Sequence, residues 1–189
     1  MTVSRRFFNV VLLGLFAALT LPAAATTPQF KMLNAVEDGN VEEVTKYLRE
    51  GVSPDTRRRG TDGTPAIVIA AQEGHFAVMK LLLDNDANPN LSDRLRGETA
   101  LMLRAVVGDT NMINMLLQYG ADPNRADIGQ ETALMKAVRG RKFKAAQALI
   151  EAGADPNVQD LTGKTALEYA RISRSRRFIR LLQDAGATY

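Results

Sequence analysis

The chain has no cysteine, no tryptophan and a single histidine in 189 residues. Without cysteine there is no disulfide, no thiolate nucleophile and no Cys-based zinc site. One imidazole, His75, cannot build the usual metal cluster. Catalytic use of His75 would need a nucleophile or acid beside it, and Gly74-His75 offers neither in sequence. A phosphate cradle is also missing, because Gly163-Lys164-Thr165 lacks the upstream glycine at the needed spacing. The carboxylates and amides of Asp122, Asn124, Asp155 and Asn157 are too dispersed for a calcium loop, which gathers its oxygens within about 12 residues. Such residues satisfy nearby backbone donors in turns. The expectation is therefore no catalytic residue, no cofactor and no metal.

Large excess charge is missing too, once the N-terminus is set aside. Arg5 and Arg6 precede an apolar run from Phe7 to Leu21, and Pro22-Ala23-Ala24-Ala25 offers an Ala-x-Ala cut after Ala25. This is the layout of a secretory signal peptide over residues 1–25. The run is shorter than the roughly 20 residues that span a bilayer comfortably. An uncleaved anchor is the alternative. Ser4-Arg5-Arg6-Phe7-Phe8 resembles the twin-arginine export signal, and general secretion also fits. Either route implies the periplasm or secretion from a bacterial cell. Removing residues 1–25 takes two of the 24 basic residues and none of the 21 acidic ones, leaving 22 − 21 = +1. That balance gives no case for nucleic-acid binding.

What is present is a repeated phrase. It reads Ala87-Asn88-Pro89-Asn90, Gly120-Ala121-Asp122-Pro123-Asn124 and Gly153-Ala154-Asp155-Pro156-Asn157, with outlying forms at Gly51-Val52-Ser53-Pro54-Asp55 and Gly186-Ala187. The steps from Gly51 through Asp86, Gly120 and Gly153 to Gly186 are 35, 34, 33 and 33 residues. A fixed period of this length marks stacked supersecondary units. Within each period lie two short apolar segments at helical spacing. Expected helices are Phe30–Val36 and Val41–Arg49, then Ile67–Ala71 and Phe76–Leu83, with later outer helices at Met112–Leu117, Phe143–Ile150 and Phe178–Leu182. Thr64 is read as a helix cap with Pro65 in the first turn. Val41, Val44 and Leu48 are expected on one face with Tyr47 beside them, and Glu42 and Lys46 as a weak pair.

Gly97-Glu98-Thr99-Ala100-Leu101, Gly163-Lys164-Thr165-Ala166-Leu167, Gly74-His75 and Gly120-Ala121-Asp122-Pro123-Asn124 recur in phase. On these motifs the chain resembles the ankyrin-repeat family across residues 30–187. The family histidine is replaced by Val68, Met102, Met135 and Glu168, and the inter-helix glycine by Arg141 and Arg174. In the fourth unit Gly129-Gln130 places the loop glycine one residue early. The resemblance implies an all-α solenoid of about five helix-turn-helix units with β-hairpin-like connecting loops. The expected domain is 26–189, with repeats at 30–61, 62–94, 95–127, 128–160 and 161–189.

The resemblance also implies protein recognition through loop tips and the ends of the inner helices. Matching positions at the tips are Leu95, Arg96, Glu98, Ile128, Glu131, Leu161, Thr162 and Lys164. At the helix ends they are Gln72, Glu73, Val106, Val107, Arg139 and Ile172, with Ser173 beside it. The apolar members would form a strip rimmed by charge; packing of Val106 and Ile172 between repeats is the alternative. Charge is uneven along the chain. Residues 30–90 hold 7 basic and 10 acidic residues, net −3, and residues 136–180 hold 11 and 4, net +7. The expected partner is a protein of the periplasm, with an anionic membrane surface as a second candidate. The chain is expected to be a monomer apart from that partner. A small enzyme or ligand-binding protein is the remaining alternative.

Overall fold

The computed structural model describes residues 27–60 and 62–188. The signal-peptide assignment to residues 1–25 lies outside them. Among the described residues ten helices follow one another: α1 Pro28–Glu37, α2 Val41–Arg49, α3 Ala66–Glu73, α4 Phe76–Asp84, α5 Ala100–Val107, α6 Thr110–Gln118, α7 Ala133–Arg139, α8 Phe143–Glu151, α9 Ala166–Ile172 and α10 Arg176–Asp184. Odd-numbered inner helices stack on one another, and each packs on the outer helix that follows it. No helix is long enough to bury a face alone, so the core is one continuous seam, from Met32 and Val36 to Phe178 and Leu182.

Inner helices start at a fixed phase. Thr99, Thr132 and Thr165 accept from the N–H groups of Met102, Met135 and Glu168. Each bond satisfies a donor left over in the first turn. Glu168, standing where the family histidine would, also accepts from the Thr165 N–H and completes a capping box. In the second repeat the expectation was wrong. Pro65, not Thr64, is the N-cap of α3, and the Thr64 hydroxyl is buried and donates to Asp62 instead. Stacking fixes the register of α3 against α1 and α5, and this outweighs local capping preference.

Two other local expectations also change. α2 buries Val44 and Tyr47, whereas Val41 is exposed. Lys46 lies over the Tyr47 ring, 5.4 Å from its centroid, rather than against Glu42.

The turns carry the stitching. Asn88, Asp122 and Asp155 each accept from the N–H two residues on, closing the turn. The following asparagine reaches into the next repeat. Asn90 Oδ1 accepts from the Asp122 N–H at 2.7 Å while its Nδ2 donates to the Gly120 carbonyl at 3.0 Å. Asn124 does the same to Asp155 and Gly153, and Asn157 to Thr188 and Gly186. The repeated phrase is thus a side-chain ladder along the stack. Its first rung is incomplete, since the Asp55 carboxylate accepts from the Asn88 N–H but, unlike an asparagine side chain, has no N–H to donate.

His75 is structural. Its Nε2 lies 2.9 Å from the Glu37 carbonyl, tying the second inter-helix turn to the first. Gly39, at φ +72°, is covered by that ring.

Candidate protein-interaction face

Two adjoining surfaces hold the candidate residues: the hairpin tips and the exposed side of the inner helices. The tips are built on aspartates. Asp93 accepts from the N–H groups of Leu95, Arg96 and Glu98, and Asp127 from those of Gly129 and Glu131. Asp160 accepts from Thr162 and Lys164. A carboxylate on several backbone donors holds a loop that has no core of its own. Successive tips are joined by a backbone ladder, Arg94 N–H to Asp62 C=O at 2.8 Å, Ile128 to Arg96 at 2.9 Å and Leu161 to Gly129 at 3.0 Å. In this register Arg94, not Leu95, matches Ile128 and Leu161. Leu95 is the extra residue of the longer loop.

The apolar candidates stand in water. Leu95, Ile128 and Leu161 at the tips are 57%, 64% and 73% exposed, and Val106, Val107 and Ile172 at the helix ends are 44%, 53% and 65% exposed. Val106 and Ile172 are therefore not packed between repeats. Seven residues after each inner N-cap stand Gln72, Val106, Arg139 and Ile172, all exposed and in line along the stack. Glu73 and Arg96 are exposed at its flanks.

The polar candidates divide differently. Lys136 belongs to this face although nothing in the sequence pattern singles it out. It lies four residues after its N-cap, where the second and third repeats have Ile69 and Leu103. Its Nζ is 2.8 Å from Asp127, 3.0 Å from Glu98 and 3.5 Å from Glu131. Glu131 also pairs with Arg139, and Arg96 lies 3.7 Å from Glu98. Glu98 and Glu131 are thus committed within the chain, and Arg139 keeps half of its side chain exposed. Burial disfavours the Lys136 ammonium. Hydrogen bonds that it donates to Asp127 and Glu98 outweigh this and raise its pKa above the usual lysine value. A depression of 220 Å³ lies over this network, lined by Val106, Glu131, Lys136, Arg139 and Gly140.

In the last repeat the Arg139 guanidinium lies 5.3 Å from the Tyr169 ring centroid, and the Tyr169 hydroxyl donates to Asp160. Burial works against the Asp160 carboxylate. Donors from Tyr169, Thr162 and Lys164 prevail and hold it well below the ordinary carboxylate range. Lys164 Nζ donates to the Thr162 hydroxyl at 2.9 Å, a contact within the tip. Arg104 is another buried cation. It replaces the small residue of its phase, Ala70 or Ala137, and its Nη2 reaches the Gln72 carbonyl at 3.4 Å, at the end of α3. Among the described residues no group of three or more His, Cys, Asp or Glu is arranged to hold a metal ion.

Stacked hairpins, paired helices and the asparagine ladder agree with the matches to known families. Models described as ankyrin repeats match residues 32–127 and 116–170. The chain belongs to the ankyrin-repeat family. Similar proteins include an ankyrin repeat-containing protein of Treponema pallidum, 35% identical over 107 residues, covering 57% of this chain and 35% of the relative. A fowlpox virus ankyrin repeat protein, FPV232, is 35% identical over 65 residues, covering 34% of this chain and 13% of its own. A rice protein named as an E3 ubiquitin-protein ligase, XBOS31, is 30% identical over 104 residues, covering 54% of this chain and 23% of its own. The matched region is about a third or less of each relative's length. Ankyrin repeats are in general protein-interaction modules, so what is shared with these relatives is the scaffold.

Proposed function

We propose that this ankyrin-repeat chain is a non-catalytic adaptor of the bacterial envelope, exported by residues 1–25, that binds one protein partner across its hairpin tips and inner-helix ends. The observation that carries the reading is the exposed strip of Val106, Val107, Ile128, Leu161 and Ile172, with Leu95 at its edge. Side chains of this size in water favour burial against a partner, at about 25 cal/mol per Å² of apolar surface covered. The strip is rimmed by polar groups of fixed geometry, because Lys136 and the tip aspartates hold Glu98, Glu131, Thr162 and Lys164 in place. Pre-ordered polar rims lower the entropy lost on binding. Gln72, Glu73, Arg96 and Arg139 would complete the contact at its edge.

Affinity capture from periplasmic extract with the mature chain tests the reading. One protein should be retained by the wild type, and retention should fall sharply for Val107→Asp and for Leu161→Asp, both of which leave the core intact. Capture that both variants leave unchanged removes the strip from consideration. Mass analysis of the N-terminus in fractionated cells tests the export half. A chain starting at Thr26 in the soluble periplasm is expected, whereas an intact N-terminus in the membrane fraction supports an anchored protein.

A further inference from the structure

The edge opposite the hairpin tips, where inner helices turn into outer ones, changes sign along the stack. In the first repeats it is acidic or neutral: the turns read Gly39-Asn40, Gly74-His75 and Gly108-Asp109, and Asp38, Glu42, Glu43 and Glu73 are exposed on it. In the last two it is basic, with Arg141, Lys142 and Lys144 followed by Arg174, Arg176 and Arg177. Among the described residues none of these six cations lies within ion-pair distance of a carboxylate.

This edge is locally unfavourable in three separate ways. Arg141 and Arg174 adopt φ of +55° and +52°, where the earlier turns have Gly39, Gly74 and Gly108. A side chain in that region is strained. Lys142 is the N-cap of α8, Lys144 lies in its first turn, and Arg176 and Arg177 open α10. Cations are disfavoured at helix N-termini, which carry partial positive charge, and α2 has Glu42 and Glu43 there instead. Finally, the six are alike in sign and crowd one another. A solvated cap needs charge, but mixed charge would serve it without these penalties. Asp86 and Gln130 carry the same backbone strain elsewhere, so it is the coincidence of strain, dipole conflict and like charge at one edge that points to function.

Next to this edge, α8 and α10 enclose a groove of 390 Å³ lined by Phe143, Leu181, Arg176, Arg177, Arg180 and Asp184. The Arg177 guanidinium lies 3.5 Å from the Phe143 ring centroid, so stacking orders it without neutralising it. Arginine dominates, and its planar fork matches carboxylate geometry.

We infer that the basic edge of the last two repeats, with the groove between α8 and α10, is a second docking surface, and that its occupant is an acidic, carboxylate-rich protein segment. The acidic half of the same edge argues for this occupant over a flat anionic bilayer, which would be repelled by Asp38, Glu42 and Glu43 when it lay along the stack. A peptide segment needs only the basic half. This surface lies at the opposite edge from Leu95, Ile128 and Leu161 and borders the apolar strip only at the inner-helix ends.

The test uses the mature chain and a fluorescein-labelled oligoglutamate peptide, followed by anisotropy at low and physiological salt. Binding is expected, weakening steeply as salt screens the edge. The variant Arg141→Gly/Arg174→Gly/Arg176→Glu should bind at least about tenfold more weakly. The same variant should melt at a higher temperature than wild type, because each change relieves strain or suits the helix dipole. A merely structural role for these arginines would lower it. Leu161→Asp, at the opposite hairpin edge, should bind the peptide as wild type does, which separates this surface from the hairpin tips. Absence of peptide binding, or binding unchanged in the triple variant, overturns the proposal. So does binding of phosphatidylglycerol vesicles without the peptide, or salt-sensitive dimerisation that accounts for the edge.

Discussion

Replacing Lys136 by methionine should destabilise the fourth repeat by about 3 kcal/mol, although Lys136 looks like an ordinary helix lysine in sequence. The side chain is 9% exposed, and three carboxylates converge on its Nζ at 2.8, 3.0 and 3.5 Å. Methionine preserves most of the buried stem and removes only the charge. Breaking a buried ion pair costs about 3–5 kcal/mol, since the abandoned charge stays desolvated. The lower end applies here. Glu131 keeps Arg139, Arg96 remains 3.7 Å from Glu98, and Asp127 retains its two backbone donors. For a domain of this size each kcal/mol moves the midpoint by about 2–4 °C, so Tm should fall by about 6–12 °C. Urea unfolding and thermal melts followed by circular dichroism measure it. The double variant Lys136→Met/Glu98→Gln should recover about 1 kcal/mol, because one unpaired charge disappears. The pH profile has a defined sign. With the folded pKa of Lys136 raised, its contribution is complete below about pH 10.4 and fades only as pH rises through the folded value. The deficit of the methionine variant should therefore stay constant around neutrality. A loss under about 1 kcal/mol, or no recovery in the double variant, refutes a charge network that holds this face together.

Other outcomes follow from single contacts. Asp55→Asn should stabilise the first repeats by about 0.5–1.5 kcal/mol, since the new amide N–H can reach the carbonyl of Asp86 as Asn90 reaches that of Gly120; a urea midpoint at or below wild type counts against it. Gln130→Gly should raise stability by up to about 1 kcal/mol, because Gln130 sits at φ +58° where Gly97 and Gly163 serve the neighbouring loops, and the melt of the single variant decides it. Gly39→Ala should lower Tm clearly, as its Cβ would stand 2.7 Å from the His75 ring at a φ of +72°. For Asp160 the folded pKa is depressed, so its contribution is present above about pH 3.9 and is lost only as pH falls through the lower folded value. Asp160→Asn should accordingly unfold more easily than wild type at neutral pH, with the gap closing in strong acid, as melts across that range would record.

Sequence alone determined the architecture. A period of 33 residues, threonines in phase and a turn phrase after each outer helix leave a stack of helix pairs as the arrangement that buries every apolar segment. The family resemblance also pointed to Val106, Val107, Ile128, Leu161 and Ile172, which the structure leaves exposed. The sequence could not show that Glu98 and Glu131 are occupied, since their partner Lys136 lies one repeat away from Glu98 and became a neighbour only through stacking. Nor could it show that Asn90, Asn124 and Asn157 bind the next repeat and not their own turn, or that Leu95 is the inserted residue of its loop. Those facts belong to register between repeats. Side-chain periodicity within one unit constrains what that unit buries, whereas register is set by backbone and packing contacts between units. That is why the scaffold could be read from the chain and the wiring of its surface required the tertiary structure.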